Sequence, residues 1–418
     1  MKAVIIAGGR GERLKPLTDK IPKPMIKVGG IPVLEHQIKL LKRYGIKDII
    51  ILTAYLSEKI EKYFKDGKNF GVIIKYVKSP EELGNADRVK LVEDQLDSDF
   101  IVFYGDMMLD ICLPDFINFH KKNKGICTLL LRSSDHIEDC DLIEIDKENR
   151  VTSFFLKPRP KNQYVRNLDN ACSYIMNPGA LKYIKNGEKS NFTKDVFPKL
   201  INAEKVYGYV TSEYVKDMGT HERLRQVRKD FKSGITKNLN HEKKQKAVFL
   251  DRDGTIVEHV HHLHKIEDLA LIEGSAKAIK KINNAGFLAI VITNQSVVAR
   301  GLCSEEELLK INNKMETLLG EKGARLDAIY YCPHHPDYTG KCNCRKPKIG
   351  MVKSAQRDFN IDLKKSYFVG DTNADIMCGI NAGLKTIGVK TGQGCENCEK
   401  KPSHIFDDLN KAVDFIIK

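Results

Sequence analysis

Nowhere in the 418-residue chain does an apolar run approach the ~20 residues that cross a bilayer, which excludes a helical membrane protein. The opening stretch, MKAVIIAGGRGERL, turns from apolar to charged after a few residues; it does not read as a signal peptide, and the expected compartment is the cytoplasm. Eleven cysteines are too few and too scattered for a disulfide scaffold. Cys112, Cys127, Cys140, Cys172, Cys303 and Cys378 read as small buried apolar side chains. Cys395-x-x-Cys398 lacks a second pair and reads as a plain loop. No internal repeat appears, so a stacked hexapeptide β-helix is not expected. The formal net charge is +14, but the lysines are mixed with acids and no block interleaves aromatics with basic residues. A nucleic-acid partner is therefore not expected; the charge fits sites for anionic phosphates.

What is present is a soluble α/β pattern, 42% hydrophobic and 30% charged. KAVIIAGG, DIIILTAY and DFIVFYGD are short apolar runs ending in glycine or polar residues, and VLEHQIKLLKRYG has helical spacing. The alternation predicts a doubly wound three-layer α/β/α domain with its site at the carboxyl ends of the strands. Along KDFKSGITKNLNHEKKQK, residues 229–246, the apolar pattern lapses, and it restarts at AVFLDRDGT. The expected organisation is domain one over 1–231, a linker over 232–245 and a second doubly wound domain over 246–418.

In the C-terminal half, Asp251 and Asp253 end a strand as DRDGT. Two carboxylates there can divide the work on one phosphoryl group, one as nucleophile and one as acid/base. An anionic nucleophile attacking an anionic ester needs the charge neutralised. Asp371 can complete a hard-oxygen Mg²⁺ site with Asp251. Lys346 supplies a positive charge, and Thr293 and Asn294 supply donors. Asp375 supports the metal from behind. Cys332-x-His334 and Cys342-x-Cys344 form a Cys₃His set suited to a closed structural Zn²⁺, against the competing readings of a disulfide or free surface thiols. Arg345 follows at once and can grip a second phosphate. His335 is left out of the ligand set.

These residues, in this order, resemble the haloacid dehalogenase-like phosphatases over about residues 247–418. The resemblance implies Asp251 as nucleophile, Asp253 as general acid/base, Thr293 and Lys346 as phosphate binders, and Mg²⁺ held at Asp251, Asp253 and Asp371. TNQSVVARG with YYCPHHP and CNCRKPKIGM is similar to the D-glycero-D-manno-heptose 1,7-bisphosphate 7-phosphatases; histidinol-phosphate phosphatases share the zinc loop but usually lack NQS…ARG. Where that family often has Gly-Tyr, this chain has His261-His262, in a loop that shapes the sugar pocket. His259, His261, His262 and His264 read as a polar loop rather than a metal site.

In the N-terminal half, Gly8, Gly9 and Gly11 follow a strand, where bare backbone can approach phosphates, and Arg13 and Lys23 add positive charge. The string AGGRGERLKPLTDKIPKPM resembles the sugar-1-phosphate nucleotidylyltransferases over about residues 1–230. That implies Mg²⁺ at Asp106 and Asp217, nucleotide contacts from the glycines including Gly84, and sugar-phosphate contacts from Lys157 and Asn170. Three positions depart from the family: Asp87 replaces a glycine near the base, Leu156 a sugar-binding carboxylate, and Cys172 the glycine of NAG. The departures read as altered specificity.

Together the halves imply a bifunctional enzyme of activated-heptose synthesis. A phosphatase removes the 7-phosphate of heptose 1,7-bisphosphate through an aspartyl-phosphate. A nucleotidylyltransferase then joins heptose 1-phosphate to a nucleotide, by resemblance guanine, releasing pyrophosphate. The alternatives are a phosphatase with a nucleotide-sugar-binding N-terminal domain, or a histidinol phosphatase. The expected partners are sugar phosphates and a nucleoside triphosphate, with a homo-oligomer left open.

Overall fold

The structure, a computed structural model, describes residues 1–185, 189–395 and 398–418. The chain forms two compact units. Unit 1 comprises 1–132, 143–156 and 168–240; unit 2 comprises 133–142, 157–167 and 241–418.

Unit 1 is built on the strand Ala3–Ala7, whose side chains alternate between two cores: Ala3, Ile5 and Ala7 pack on one face and Val4 on the other. It pairs in parallel with Asp48–Thr53 and Phe100–Tyr104, and Ile73–Lys78 lies outside Asp48–Thr53. Numbered along the chain, these four parallel strands lie in the order 3-2-1-4, which reverses direction between Ala3–Ala7 and Phe100–Tyr104. Asp169–Met176 adds to Phe100–Tyr104 antiparallel, so the sheet is mixed.

Unit 2 holds a six-stranded sheet, all parallel, in the order Ala328–Cys332, Leu288–Asn294, Ala247–Leu250, Tyr367–Gly370, Lys385–Val389, His404–Phe406. In chain order this is 3-2-1-4-5-6, with its topological switch between Ala247–Leu250 and Tyr367–Gly370. Val248 and Leu250 pack with Ile279, Ile282 and Val413 on one face. Phe249 turns to the other and stacks on Phe368, ring centroids 6.4 Å apart.

The segment expected as a linker contains a short helix, Ile235–Asn238, and the boundary between the units falls after Asn240. Segments 133–142 and 157–167 belong to unit 2 although unit 1 strands flank them in the chain. Apolar contact accounts for the first: Ile137 is buried against Gly320, where an added Cβ would meet Ile137 at 3.0 Å. A buried hydrogen bond holds the second: Asn167 N donates to Glu316 Oε2 at 3.2 Å.

Phe249→Ala removes a fully buried ring from the strand that carries the unit 2 site, and is expected to destabilise that unit by about 3–5 kcal/mol. The measurement is a lowered denaturant midpoint in equilibrium unfolding.

Candidate active sites

In unit 2 the strand Ala247–Leu250 ends directly at Asp251, and Tyr367–Gly370 at Asp371, on either side of the switch. The helix Asn373–Asn381 starts just beyond, and Asp375 in its first turn accepts from Thr372 N (3.0 Å) and Thr372 Oγ1 (2.6 Å). Oxygens of Asp251, Asp371 and Asp375 lie within 4.8 Å of one another, all buried. Lys346 is buried beside them, its Nζ 2.7 Å from Asp251 Oδ1 and 2.5 Å from Asp375 Oδ1, and it donates to Ile292 O at 2.8 Å.

One lysine against three buried carboxylates leaves the cluster short of positive charge. Burial, then the neighbouring Asp375, pushes the Asp251 carboxyl up to about 8 despite Lys346. Burial likewise pushes Asp371 up to about 6. Burial disfavours the charge on Lys346, but Asp251 and Asp375 more than offset it and its pKa is raised. Asp371 Oδ2 accepts from Gln393 N at 2.7 Å, while Oδ1 is buried without a partner among the described residues. An unpartnered carboxylate oxygen in an acid-rich cluster fits a hard divalent cation, which would also favour the ionised carboxylates.

The Asp253 side chain does not join this cluster. The buried Arg252 guanidinium needs a counter-charge and takes both Asp253 oxygens at 3.1 Å, and Gln295 Nε2 donates to Oδ2 at 2.7 Å. Asn294 likewise departs from the expected role of phosphate donor: its Oδ1 accepts from Lys346 N (3.0 Å) and its Nδ2 donates to Lys346 O (3.2 Å), so it clamps the lysine backbone. Thr293 is buried in the strand and its Oγ1 accepts from Gln295 at 2.8 Å. Arg252 and Gln295 were not singled out in the sequence; the only available signal is a polar residue at a buried strand tip. Above these groups opens a cleft of about 500 Å³, lined also by Arg345, Gln393 and the loop bearing His259, His261 and His262.

Beside the cleft, Sγ of Cys332, Cys342 and Cys344 and one ring nitrogen of His334 lie within 4.8 Å of one another. Cys332 Sγ is 3.6 Å from Cys342 Sγ and 3.1 Å from Cys344 Sγ, and His334 Nδ1 is 3.3 Å from Cys344 Sγ. No pair is at the ~2.05 Å of a disulfide. A tetrahedral ion with metal–sulfur bonds of about 2.3 Å would set sulfurs about 3.8 Å apart, so the group can hold a metal. His335 lies outside it, capping the helix Pro336–Thr339 and contacting Arg300. Arg345 donates to His334 O at 3.1 Å, which ties it to the Cys/His loop. Cys395 Sγ donates to Gly370 O at 3.5 Å; Glu396 and Asn397 lie outside the described residues.

In unit 1, a Cβ added at Gly8 would meet Arg88 Nη1 at 1.5 Å, so a side chain there would have to displace the Arg88 guanidinium. Gly11 has φ +68°, and Gly84 abuts Ser190 O, 1.9 Å from an added Cβ. Lys23 pairs with Asp106, and Arg223 Nη1 lies 3.1 Å from both oxygens of Asp217. Burial raises the Asp217 pKa, but Arg223, the Gly219 N–H, Lys23 and Arg132 reverse this and hold it below the usual range. Arg13 lies against Gly219, whose Cβ would be 3.0 Å from its Nη2. Arg13, Lys23, Asp106 and Asp217 thus gather at one strand-tip site.

Asn170 and Lys157, expected as sugar contacts, are each hydrogen-bonded to neighbouring protein groups. Asn170 is buried, with Nδ2 donating to Thr193 Oγ1 (3.0 Å) and Tyr174 Oη (3.2 Å), across a register shift in its strand. Lys157 belongs to unit 2 and donates to Asp139 O and Oδ1 at 2.6 and 2.8 Å.

A nucleotidyl transferase family model matches residues 2–234, and a HAD-hydrolase-like model matches residues 343–412. A D-glycero-beta-D-manno-heptose-1,7-bisphosphate 7-phosphatase of Haemophilus ducreyi is 42% identical over 179 residues, covering 41% of this chain and 98% of the relative. A D-glycero-alpha-D-manno-heptose-1,7-bisphosphate 7-phosphatase of Photorhabdus laumondii is 42% identical over 155 residues, covering 36% of this chain and 85% of the relative. Among solved structures, a Bacillus anthracis protein assigned as a glucose-1-phosphate thymidylyltransferase, crystallised with sucrose, matches at 25% identity and TM-score 0.50, covering 55% of this chain and 94% of that one.

Lys346→Met leaves Asp251 and Asp375 facing each other without their cation. Its turnover of p-nitrophenyl phosphate is expected to fall at least about 100-fold. Asn294→Ala, which only releases the lysine backbone, should lose less, and mainly in kcat.

Proposed function

The chain belongs to the nucleotidyl transferase family through residues 2–234, and from that premise we propose that it is bifunctional. Unit 2 hydrolyses the 7-phosphate of D-glycero-D-manno-heptose 1,7-bisphosphate. Unit 1 transfers a nucleoside monophosphate, from GTP by family resemblance, to the resulting heptose 1-phosphate. The observation that carries the reading is the meeting of Asp251, Asp371 and Asp375 with Lys346 at the switch point, in a region that matches a heptose bisphosphate phosphatase over 98% of that relative.

In unit 2, Asp251 attacks phosphorus and the bond to the sugar oxygen breaks. Asp253, oriented by Arg252 and Gln295 and part-exposed to the cleft, gives the departing oxygen its proton. Asp253 then takes a proton from the water that cleaves the aspartyl-phosphate, which restores Asp251. Lys346 holds the carboxylates apart and faces the phosphoryl charge. Asp251 and Asp371, with Asp375 behind, would hold Mg²⁺, which when bound neutralises phosphoryl oxygens. Cys332, His334, Cys342 and Cys344 would hold Zn²⁺ as a structural ion, and the loop they close would carry Arg345 and Lys346 beside the cleft.

In unit 1, the sugar-phosphate oxygen attacks the α-phosphorus and pyrophosphate leaves, with Arg13 and Lys23 balancing the charge. Asp106 and Asp217 would hold Mg²⁺, which would supply charge neutralisation for the phosphates; such sites commonly take only one or two carboxylates from the protein.

Asp251→Asn is expected to abolish phosphate release from heptose bisphosphate while GTP-dependent pyrophosphate release from heptose 1-phosphate persists. Asp217→Asn should do the reverse. Wild-type protein that releases no pyrophosphate with any nucleoside triphosphate would reduce unit 1 to a nucleotide-sugar binder. A chelator strong enough to strip the Cys/His group should lower the unfolding temperature of the protein, with Zn²⁺ and not Mg²⁺ restoring it; an unchanged thermogram would remove zinc from the reading.

A further inference from the structure

The unit 2 cleft has a floor that the proposed chemistry uses and a mouth that it leaves unassigned. On the floor, Asp251 and Lys346 serve the reacting phosphate. A bisphosphate carries a second dianion that must lie elsewhere in the same cleft. Arg345 is one cation near the mouth, but one of its amino groups is held by His334 O, fixing the loop.

The other side of the mouth is the loop through residues 259–264. Leu263 is buried in the unit 2 core and Val260 packs against that core, so the loop is anchored at two points. Between and beside these anchors His259, His261 and His262 are turned to the cleft. His261 and His262 lie ring against ring, centroids 4.0 Å apart at 31°. His262 takes the left-handed conformation, φ +57°, which a non-glycine residue adopts at a cost and which recurs at ligand-binding positions. His264 Nδ1 sits 2.7 Å from His262 O and braces the turn. The His261 and His262 imidazoles, on an anchored turn, line the cleft with rings able to donate hydrogen bonds. Desolvation first, then His261, Arg300, His264 and His335, lowers the His262 pKa. Around His262 an arriving phosphate dianion meets imidazoles and the Arg300 guanidinium.

We infer that His261 and His262 hold the second, non-reacting phosphate of a bisphosphorylated sugar and set the preference of unit 2 for a bisphosphate over a monophosphate. This rests on reading unit 2 as a phosphatase. Charge-assisted hydrogen bonds to phosphate are among the stronger polar contacts, so their loss falls on binding rather than on the bond-breaking step.

The test compares wild type, His261→Ala/His262→Ala and His261→Lys/His262→Lys on heptose 1,7-bisphosphate and on heptose 7-phosphate. The alanine pair is expected to raise KM for the bisphosphate about tenfold or more, with kcat changing far less. The ratio of kcat/KM between bisphosphate and monophosphate should fall by a similar factor, and the lysine pair should restore it. An unchanged ratio overturns the inference, as does an equal loss on both substrates. Wild-type protein that releases phosphate from neither substrate would instead sink the phosphatase reading, a different outcome from an active enzyme whose ratio ignores the histidines.

Discussion

The unit 2 site depends on one charge arrangement: the Lys346 ammonium held between Asp251 and Asp375, 2.7 and 2.5 Å away, almost fully buried at the floor of the cleft. Three carboxylates cannot share that space without compensation: burial first, and Asp375 with it, raises the pKa values of Asp251 and Asp371 in spite of the lysine. The residues around it fix the lysine. Asn294 grips its backbone on both sides, Ile292 O receives its third contact, and the Cys/His group pins the loop that ends two residues before it. The site is built to be completed by cation and phosphate, because only then does its charge balance.

Both units solve the same topological problem with different chemistry at the first strand tip. Where the order of parallel strands reverses, two strand ends diverge and leave a crevice. Unit 2 fills the tip of its first strand with a carboxylate, Asp251, that can attack phosphorus. Unit 1 fills the equivalent tip with Gly8 and Gly9, so the backbone itself can approach a phosphate chain. A side chain at Gly8 would have to displace the Arg88 guanidinium, which fills that space. A nucleophile suits covalent phosphoryl transfer to the protein; a bare backbone suits positioning two substrates for direct transfer between them.

Much of this was legible in the sequence because strand-tip motifs fuse local structure with chemistry. DRDGT, VGDTNAD and the glycine string each mark the end of an apolar run, so the polar residues that follow must lie at a sheet edge. Cys332-x-His334 and Cys342-x-Cys344 were legible for a similar reason: their spacing alone lets the chain double back. What was hidden is partner choice among neighbouring polar groups. Nothing local says that Asp253 turns to Arg252 while Asp375 turns to Lys346, or that Asn294 serves a backbone 52 positions away. The division into units was hidden too, because 133–142 and 157–167 join unit 2 through long-range contacts such as Asn167 with Glu316, 149 positions apart.

The departures in unit 1 carry the last step. A binding wall in decay would leave cavities and orphaned groups where residues had changed. Asp87 instead accepts from Gly84 N (2.9 Å), Ser190 N (2.8 Å) and Ser190 Oγ, closing the first turn of the helix Asn85–Lys90 onto a distant loop. Cys172, at φ +50°, sits where the strand shifts register, and its N–H is taken by Asn170 Oδ1 at 3.1 Å. Asp87 and Cys172 are therefore bonded into their surroundings, while Lys23 pairs with Asp106 and Arg223 with Asp217. A rebuilt wall around an intact phosphate-handling centre is what a change of substrate requires and what a loss of function does not, and this supports reading unit 1 as a transferase of altered specificity.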